Sequence, residues 1–340
     1  MSPLTKLTAT DMSRPLSARR WLAALWLAAT ATTALALARP ELWANLVGGL
    51  LGLAYIGGLL WYLVHTPPHA SDLPDLPPDR LPGQSYGRRL SLVLVTLALL
   101  FVLAIPLHPQ LMLIGVFALL SGWLIVRWRT RLTRRLVALG PAAGVVVLAA
   151  QGAMGYSPYM VFYLALIPLL FVAGGLLVGY AGIGRLTVLA SGRAAARSFG
   201  WGCLLALPPA LLNVMGGAQR GDTWVEHWWQ PVAALVPGIA EETWARLFLV
   251  SLVYVLLRPR ANDRPQRAMR TAILVGAVTH GLAHLPTLAI LGPGGLSMLV
   301  AALLYGVPMG LLFVKRDFEH AVGYHFAVDL LRFIAAWLGL

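Results

Sequence analysis

The run Pro231–Leu257, PVAALVPGIAEETWARLFLVSLVYVLL, is long enough to cross a bilayer as a helix, yet it carries three charged residues, Glu241, Glu242 and Arg246. A charged side chain at mid-bilayer costs about 2.5–3.5 kcal/mol on insertion scales, so all three must face protein and find partners. Glu242 and Arg246 are four apart, on one helical face, with the acid N-terminal to the base, the favoured order. Glu241 lies about 100° around the helix from Glu242. The pair therefore reads as a structural brace, and Glu241 as the group left free for another task.

The rest of the chain fixes the setting of this run. Of 340 residues, 59% are hydrophobic and 11% charged, with a mean hydropathy of +0.75. Soluble domains carry about a quarter charged residues. The expected fold is all-α, a polytopic transmembrane helical bundle. Apolar runs fall at 21–38, 42–64, 90–107, 111–126, 136–151, 158–183, 198–216, 231–257, 271–290, 296–314 and 320–340, so about eleven spans (10–12) are expected. With the N-terminus placed on the cytoplasmic side, 22 of the 26 Lys and Arg fall in cytoplasmic connections, as retained positive charge should. The net charge of +13 thus reads as a topology signal, with no nucleic-acid partner. An Ala-, Leu-, Gly- and Arg-rich composition reads as bacterial, which makes the inner (plasma) membrane the expected location.

Local features refine the picture. The basic leader and Ala36-Leu37-Ala38 resemble a signal peptide, but a second span follows almost at once, so a retained helix is expected. The proline-rich stretch between His65 and Arg89 reads as a cytoplasmic loop. Gly48 and Gly52 have the spacing of close helix packing, and Trp224, Trp228 and Trp229 that of an interfacial aromatic belt. Cys203 is the single cysteine and permits no intramolecular disulfide.

Ionisable residues concentrate in the last third. The run 271–290 holds His280 and His284, four apart on one face, with Pro286 expected to kink the helix just beyond. The final run holds His325 and Asp329 at the same spacing, with Arg332 three residues further on as a partner for that acid or a snorkelling side chain. Carboxylates and imidazoles from three helices can converge in a bundle core. One His alone would read as a ring bonded to a neighbouring carbonyl; Glu241, His284 and His325 together read as a site.

This pattern, EETWAR at 241–246, HGLAH at 280–284 and HFAVD at 325–329, resembles the CAAX protease and bacteriocin-processing (CPBP) family, which includes the type II CAAX prenyl proteases. The resemblance covers about residues 231–335, and the chain divides on this reading into N-terminal transmembrane helices (1–230) and a protease core (231–340) in the last four spans. It departs from the family at His280, where Phe is usual, which leaves His280 as a packing substitute or an extra polar participant. The resemblance implies an intramembrane endopeptidase acting on peptide or membrane-protein substrates in the lipid bilayer. Glu241 would activate water with help from His284, His325 and Asp329 would stabilise the oxyanion, and Glu242 with Arg246 would brace the helix.

No cofactor is expected, since the HExxH helix of soluble zinc proteases is missing. The alternative is Zn²⁺ on Glu241, His284 and His325, with one position open for water. Two other classes compete: a non-catalytic scaffold or immunity protein on the same fold, and a proton or ion transporter, which would be expected to show a mirrored second half. Counting rise along upright helices separates Glu241, His284 and His325 in depth, so either the helix around 271 starts outside the bilayer or the last helix starts deep within it.

Overall fold

The computed structural model describes residues 10–39, 41–66, 85–105, 108–258 and 265–340. Among them are thirteen α-helices and no strand: α1 Thr10–Ala38, α2 Leu42–His65, α3 Tyr86–Leu103, α4 Pro109–Arg127, α5 Arg134–Gln151, α6 Pro158–Ala165, α7 Ile167–Ala181, α8 Gly192–Met215, α9 Ser251–Leu257, α10 Pro265–Ala283, α11 Pro293–Ala301, α12 Val307–Lys315 and α13 Phe318–Trp337. Eight helical segments are long and apolar enough to cross a membrane, with α6–α7 and α11–α12 each counting as one. The three long segments outside that set, 235–257, α10 and α13, carry Glu241, Glu242, Arg246, His280, His325 and Asp329. The chain is an all-α polytopic integral membrane protein. Most of the proline-rich loop lies outside the described residues, as do residues 1–9 of the basic leader, Arg260 and Arg264.

Hydroxyl and carboxylate caps set several helix starts. Ser85, Thr133, Ser157 and Ser191 accept the backbone N–H of Arg88, Leu136, Met160 and Ala194, and Asp317 accepts that of His320. Inside α8, Pro208 and Pro209 cannot donate to the carbonyls of Leu204 and Leu205, one turn back. Both carbonyls find donors on other helices: the Trp26 indole N–H of α1 bonds Leu204 O at 2.7 Å, and the Tyr55 hydroxyl of α2 bonds Leu205 O at 3.0 Å. In lipid a freed backbone carbonyl must be satisfied by protein, so these prolines tie α8 to α1 and α2.

Small residues let the helices approach closely. Gly48 of α2 sits against the backbone of Thr32 and Thr33, and Gly52 against Leu212, so the spacing noted in the sequence packs α2 on both α1 and α8. One continuous set of buried apolar side chains runs from Ala29 in α1 to Val328 in α13. Trp228 and Trp229 are 74% and 46% exposed, whereas Trp224 packs edge-on against Phe333 of α13.

Three expectations are corrected. The run 231–257 is not a regular α-helix: it begins as a 3₁₀ turn (Gln230–Ala234), widens into π-helix over Pro237–Glu241 and Thr243–Val250, and becomes α-helical only in α9. Pro237, inside the run, has no N–H to give the Ala233 carbonyl one turn back, which favours such irregular winding. Pro286 does not kink a helix, because α10 ends at Ala283; a residue preceding proline is pushed out of the helical region. The run 158–183 is likewise two helices, broken at Leu166 just ahead of Pro168. Helix α10 starts no later than Pro265, six residues before the apolar run.

Candidate active site

Three close approaches bring the ionisable residues together. Gly238 abuts Phe326 of α13, where a Cβ would lie 3.2 Å from that side chain. One turn on, this contact sets Glu242 beside His325. Gly276 of α10 packs against Val250 and the carbonyl of Ala245, where a Cβ would meet Val250 at 2.5 Å, and this sets His280, one turn on, against Arg246. Gly306, at the end of the π-turn Ala302–Gly306, leaves room for the Arg246 guanidinium, whose Nη2 donates to the Gly306 carbonyl at 3.4 Å and contacts Met309 Sδ at 3.5 Å. Irregular π-windings are frequent at functional sites, where they re-aim side chains that a regular helix would space differently.

Arg246 is the hub. Its Nη1 lies 3.0 Å from Glu242 Oε1 and donates to His280 Nδ1 at 2.9 Å, with Arg246 and Glu242 side chains 1% and 0% exposed. Arginine has donors only, so His280 Nδ1 must be the acceptor. The hydrogen-bond network thereby assigns the proton of a neutral His280 to Nε2, which donates to Glu241 Oε2 at 2.7 Å. Glu242 Oε1 also accepts from His325 Nδ1 at 2.8 Å. His325 Nε2 lies 3.3 Å from Asp329 Oδ2 and 3.8 Å from Glu241 Oε2.

The sequence-derived residues therefore do converge. His284, just past α10, donates from Nδ1 to the His280 carbonyl at 2.9 Å and presents Nε2 to Glu241 Oε2 at 3.3 Å. Its side chain is 38% exposed against 14% for Glu241 and 10% for His280, so access to the carboxylate is from the His284 side. Glu241 Oε1 makes no hydrogen bond among the described residues. Asp329 pairs with Arg332 at 3.2 Å, and Arg332 reaches on to Asp222 at 2.8 Å, so this arginine serves the acid one turn away and a second in the preceding connection.

Sequence reasoning missed two links. His280 is a polar participant and not a packing substitute: it joins the brace to Glu241. The Glu242–His325 bond makes the brace and the third motif one network. A polar residue at an expected Phe position was the only sequence signal for the first, and nothing local signalled the second.

Metal binding can be tested on the same geometry. Ligand atoms of Glu241, His280 and His284 lie within 4.8 Å of one another, with His280 in the place the sequence reading gave to His325. A metal needs the lone pair of each imidazole. His280 accepts from Arg246 through Nδ1 and has its proton on Nε2, and both nitrogens of His325 face carboxylates, so Glu241 and His284 alone remain as donors. As arranged, the cluster does not fit the three-ligand zinc site of a hydrolase.

A polytopic helical membrane protein with three carboxylates, an arginine and three imidazoles joined in its interior belongs to the class of integral membrane proteins built around a polar site. Within that class, residues 223–331 match the family model described as type II CAAX prenyl endopeptidase Rce1-like, which supports assigning this segment to the CAAX protease family. The matched stretch, about a third of the chain, contains Glu241, Glu242, Arg246, His280, His284, His325 and Asp329. No curated protein and no solved structure matches the chain. The kind of function the family supports is that of a membrane-embedded peptidase.

Proposed function

We propose that the protein is an intramembrane endopeptidase in which Glu241 activates water without a metal. The observation that carries this reading is the pair of unequal carboxylates: Glu242 is wholly buried and held by Arg246 and His325, whereas Glu241 is held only through Oε2 and keeps Oε1 for another partner. In the proposed reaction Glu241 takes a proton from water, and the resulting hydroxide attacks the peptide carbonyl. The carbon–nitrogen bond then breaks, and the proton passes to the leaving amine with His284 Nε2 as the nearby carrier.

His325 Nε2, between Asp329 and Glu241, is the donor suited to the developing oxyanion. Asp329, itself an anion, acts by orienting His325. His280 holds Glu241 in register with the brace, which keeps the carboxylate in one rotamer within the apolar interior. The family's name points to peptide substrates in a membrane.

Purified protein in detergent, offered a broad peptide library, should cleave, and Glu241→Gln should lower cleavage by at least 100-fold while leaving the protein folded. Full cleavage by Glu241→Gln refutes the reading. Proton flux in proteoliposomes that depends on Glu241, without hydrolysis, would replace it with the transporter class.

A further inference from the structure

A second site lies away from the Glu241 cluster. A cavity of about 710 Å³ opens between α1, α2, α8 and the α12–α13 turn, and none of Glu241, His280, His284 or His325 lines it. Its walls are apolar, from Leu22, Trp26, Leu59 and Leu204 among others, and its arginines are Arg19, Arg185 and Arg316. Leu204 and Leu205 present carbonyls on this side, but both are already satisfied by Trp26 and Tyr55, so the wall asks for hydrocarbon and not for a polar guest.

The arginine end has the opposite demand. Arg19 Nε donates to the Tyr62 hydroxyl at 3.1 Å and Arg316 Nη2 to the same oxygen at 3.3 Å, so two guanidiniums are held on one atom. Among the described residues, none of the three arginines has a carboxylate within ion-pair distance. The one acid in the lining, Asp317, is committed: Oδ1 accepts the backbone N–H and Nδ1 of His320, both at 2.8 Å, and Oδ2 accepts the Ser198 hydroxyl at 2.9 Å. Gathered cations over an apolar chamber are complementary to an amphiphile with an anionic head.

We propose that this cavity binds one anionic phospholipid of the surrounding bilayer, with its phosphate on Arg19, Arg185 and Arg316 and an acyl chain against the apolar wall of Leu22, Trp26, Leu59 and Leu204. Arginine pairs with phosphate in bidentate fashion, and three arginines discriminate a net-negative head from a zwitterionic one. The site is independent of the peptidase reading, because its residues and its ligand differ from those of the Glu241 cluster.

The test is native mass spectrometry of the full-length protein, stripped of lipid in detergent and offered phosphatidylglycerol or phosphatidylcholine with identical acyl chains. Retention of phosphatidylglycerol should exceed that of phosphatidylcholine by at least ten-fold. Arg185→Gln with Arg316→Gln should abolish that preference, and Ala23→Trp, which fills the chamber, should lower retention of both lipids. Inorganic phosphate at 10 mM should not displace the lipid. Equal retention of the two lipids, or an unchanged preference in the double variant, overturns the proposal. Displacement by inorganic phosphate overturns the amphiphile and leaves a plain anion site. Should the double variant fail to fold, Arg19→Gln, at an exposed position, is read in its place, with about a three-fold loss of preference expected.

Discussion

Glu242→Gln separates the brace from the site more sharply than any other single change. The substitution keeps shape and volume but removes the charge that faces Arg246 Nη1 at 3.0 Å and His325 Nδ1 at 2.8 Å, in a side chain with 0% exposure. Removing one partner of a buried ion pair costs about 3–5 kcal/mol, because the other charge stays buried and uncompensated. At roughly 2–4 °C per kcal/mol for chains of this order, the midpoint of thermal unfolding in detergent should fall by roughly 6–20 °C. Glu241→Gln predicts a different result. A glutamine oxygen still accepts from His280 Nε2 at this position, so the loss is about 1 kcal/mol, or roughly 2–4 °C. Fluorescence-detected size-exclusion chromatography after a heat ramp measures both midpoints, and a peptide cleavage assay on the same samples measures activity. Both variants should lose cleavage, but Glu242→Gln should lose several times more stability than Glu241→Gln. If Glu242→Gln melts within 2 °C of the wild type, or if Glu241→Gln is the more destabilised, the division of roles between the two carboxylates is refuted.

Further predictions concern the elements around the pair. Arg246→Lys keeps a charge but cannot reach Glu242, His280 and the Gly306 carbonyl at once, so cleavage should fall about 10- to 100-fold with a clear loss of thermal stability. His280→Phe removes the acceptor for Arg246 and the donor to Glu241; kcat should fall at least ten-fold with KM little changed, whereas a packing role would leave kcat intact. Gly276→Leu drives a side chain into Val250, where a Cβ alone would come within 2.5 Å, at a cost of about 1–3 kcal/mol, and should lower expression of folded protein and activity together. Trp26→Phe leaves the Leu204 carbonyl freed by Pro208 without its donor, a loss of about 1–3 kcal/mol measurable as a lowered melting midpoint with wild-type kcat. A strong zinc chelator should leave the cleavage rate unchanged, and loss of activity restored by added Zn²⁺ would reinstate the metal reading.

The helical membrane architecture was legible because apolar length is imposed by lipid and acts residue by residue. The i,i+4 pairs were legible for a similar reason: Glu242 with Arg246 and His325 with Asp329 are fixed by helical spacing and appear in the structure at 3.0 and 3.3 Å. The links that join the motifs were not, because Arg246 to His280 and Glu242 to His325 depend on how helices cross, through Gly238, Gly276 and Gly306. A glycine in an apolar helix gives no sign of which neighbour it admits. The π-windings around Glu241 were also hidden, since an apolar run with two prolines is compatible with a kinked α-helix as well as a wider coil. Pro286 was read as a kink because the sequence does not show where the preceding helix has already ended.

The central claim is that Glu241 activates the water that cleaves the peptide bond. Hydrolysis of a defined substrate peptide in H₂¹⁸O, followed by mass spectrometry of the products, tests it most directly. The account predicts one ¹⁸O in the new C-terminal carboxylate for the wild type, and less than about one hundredth of that labelled product for Glu241→Gln under identical conditions. Wild-type rates of labelled product from Glu241→Gln would contradict it.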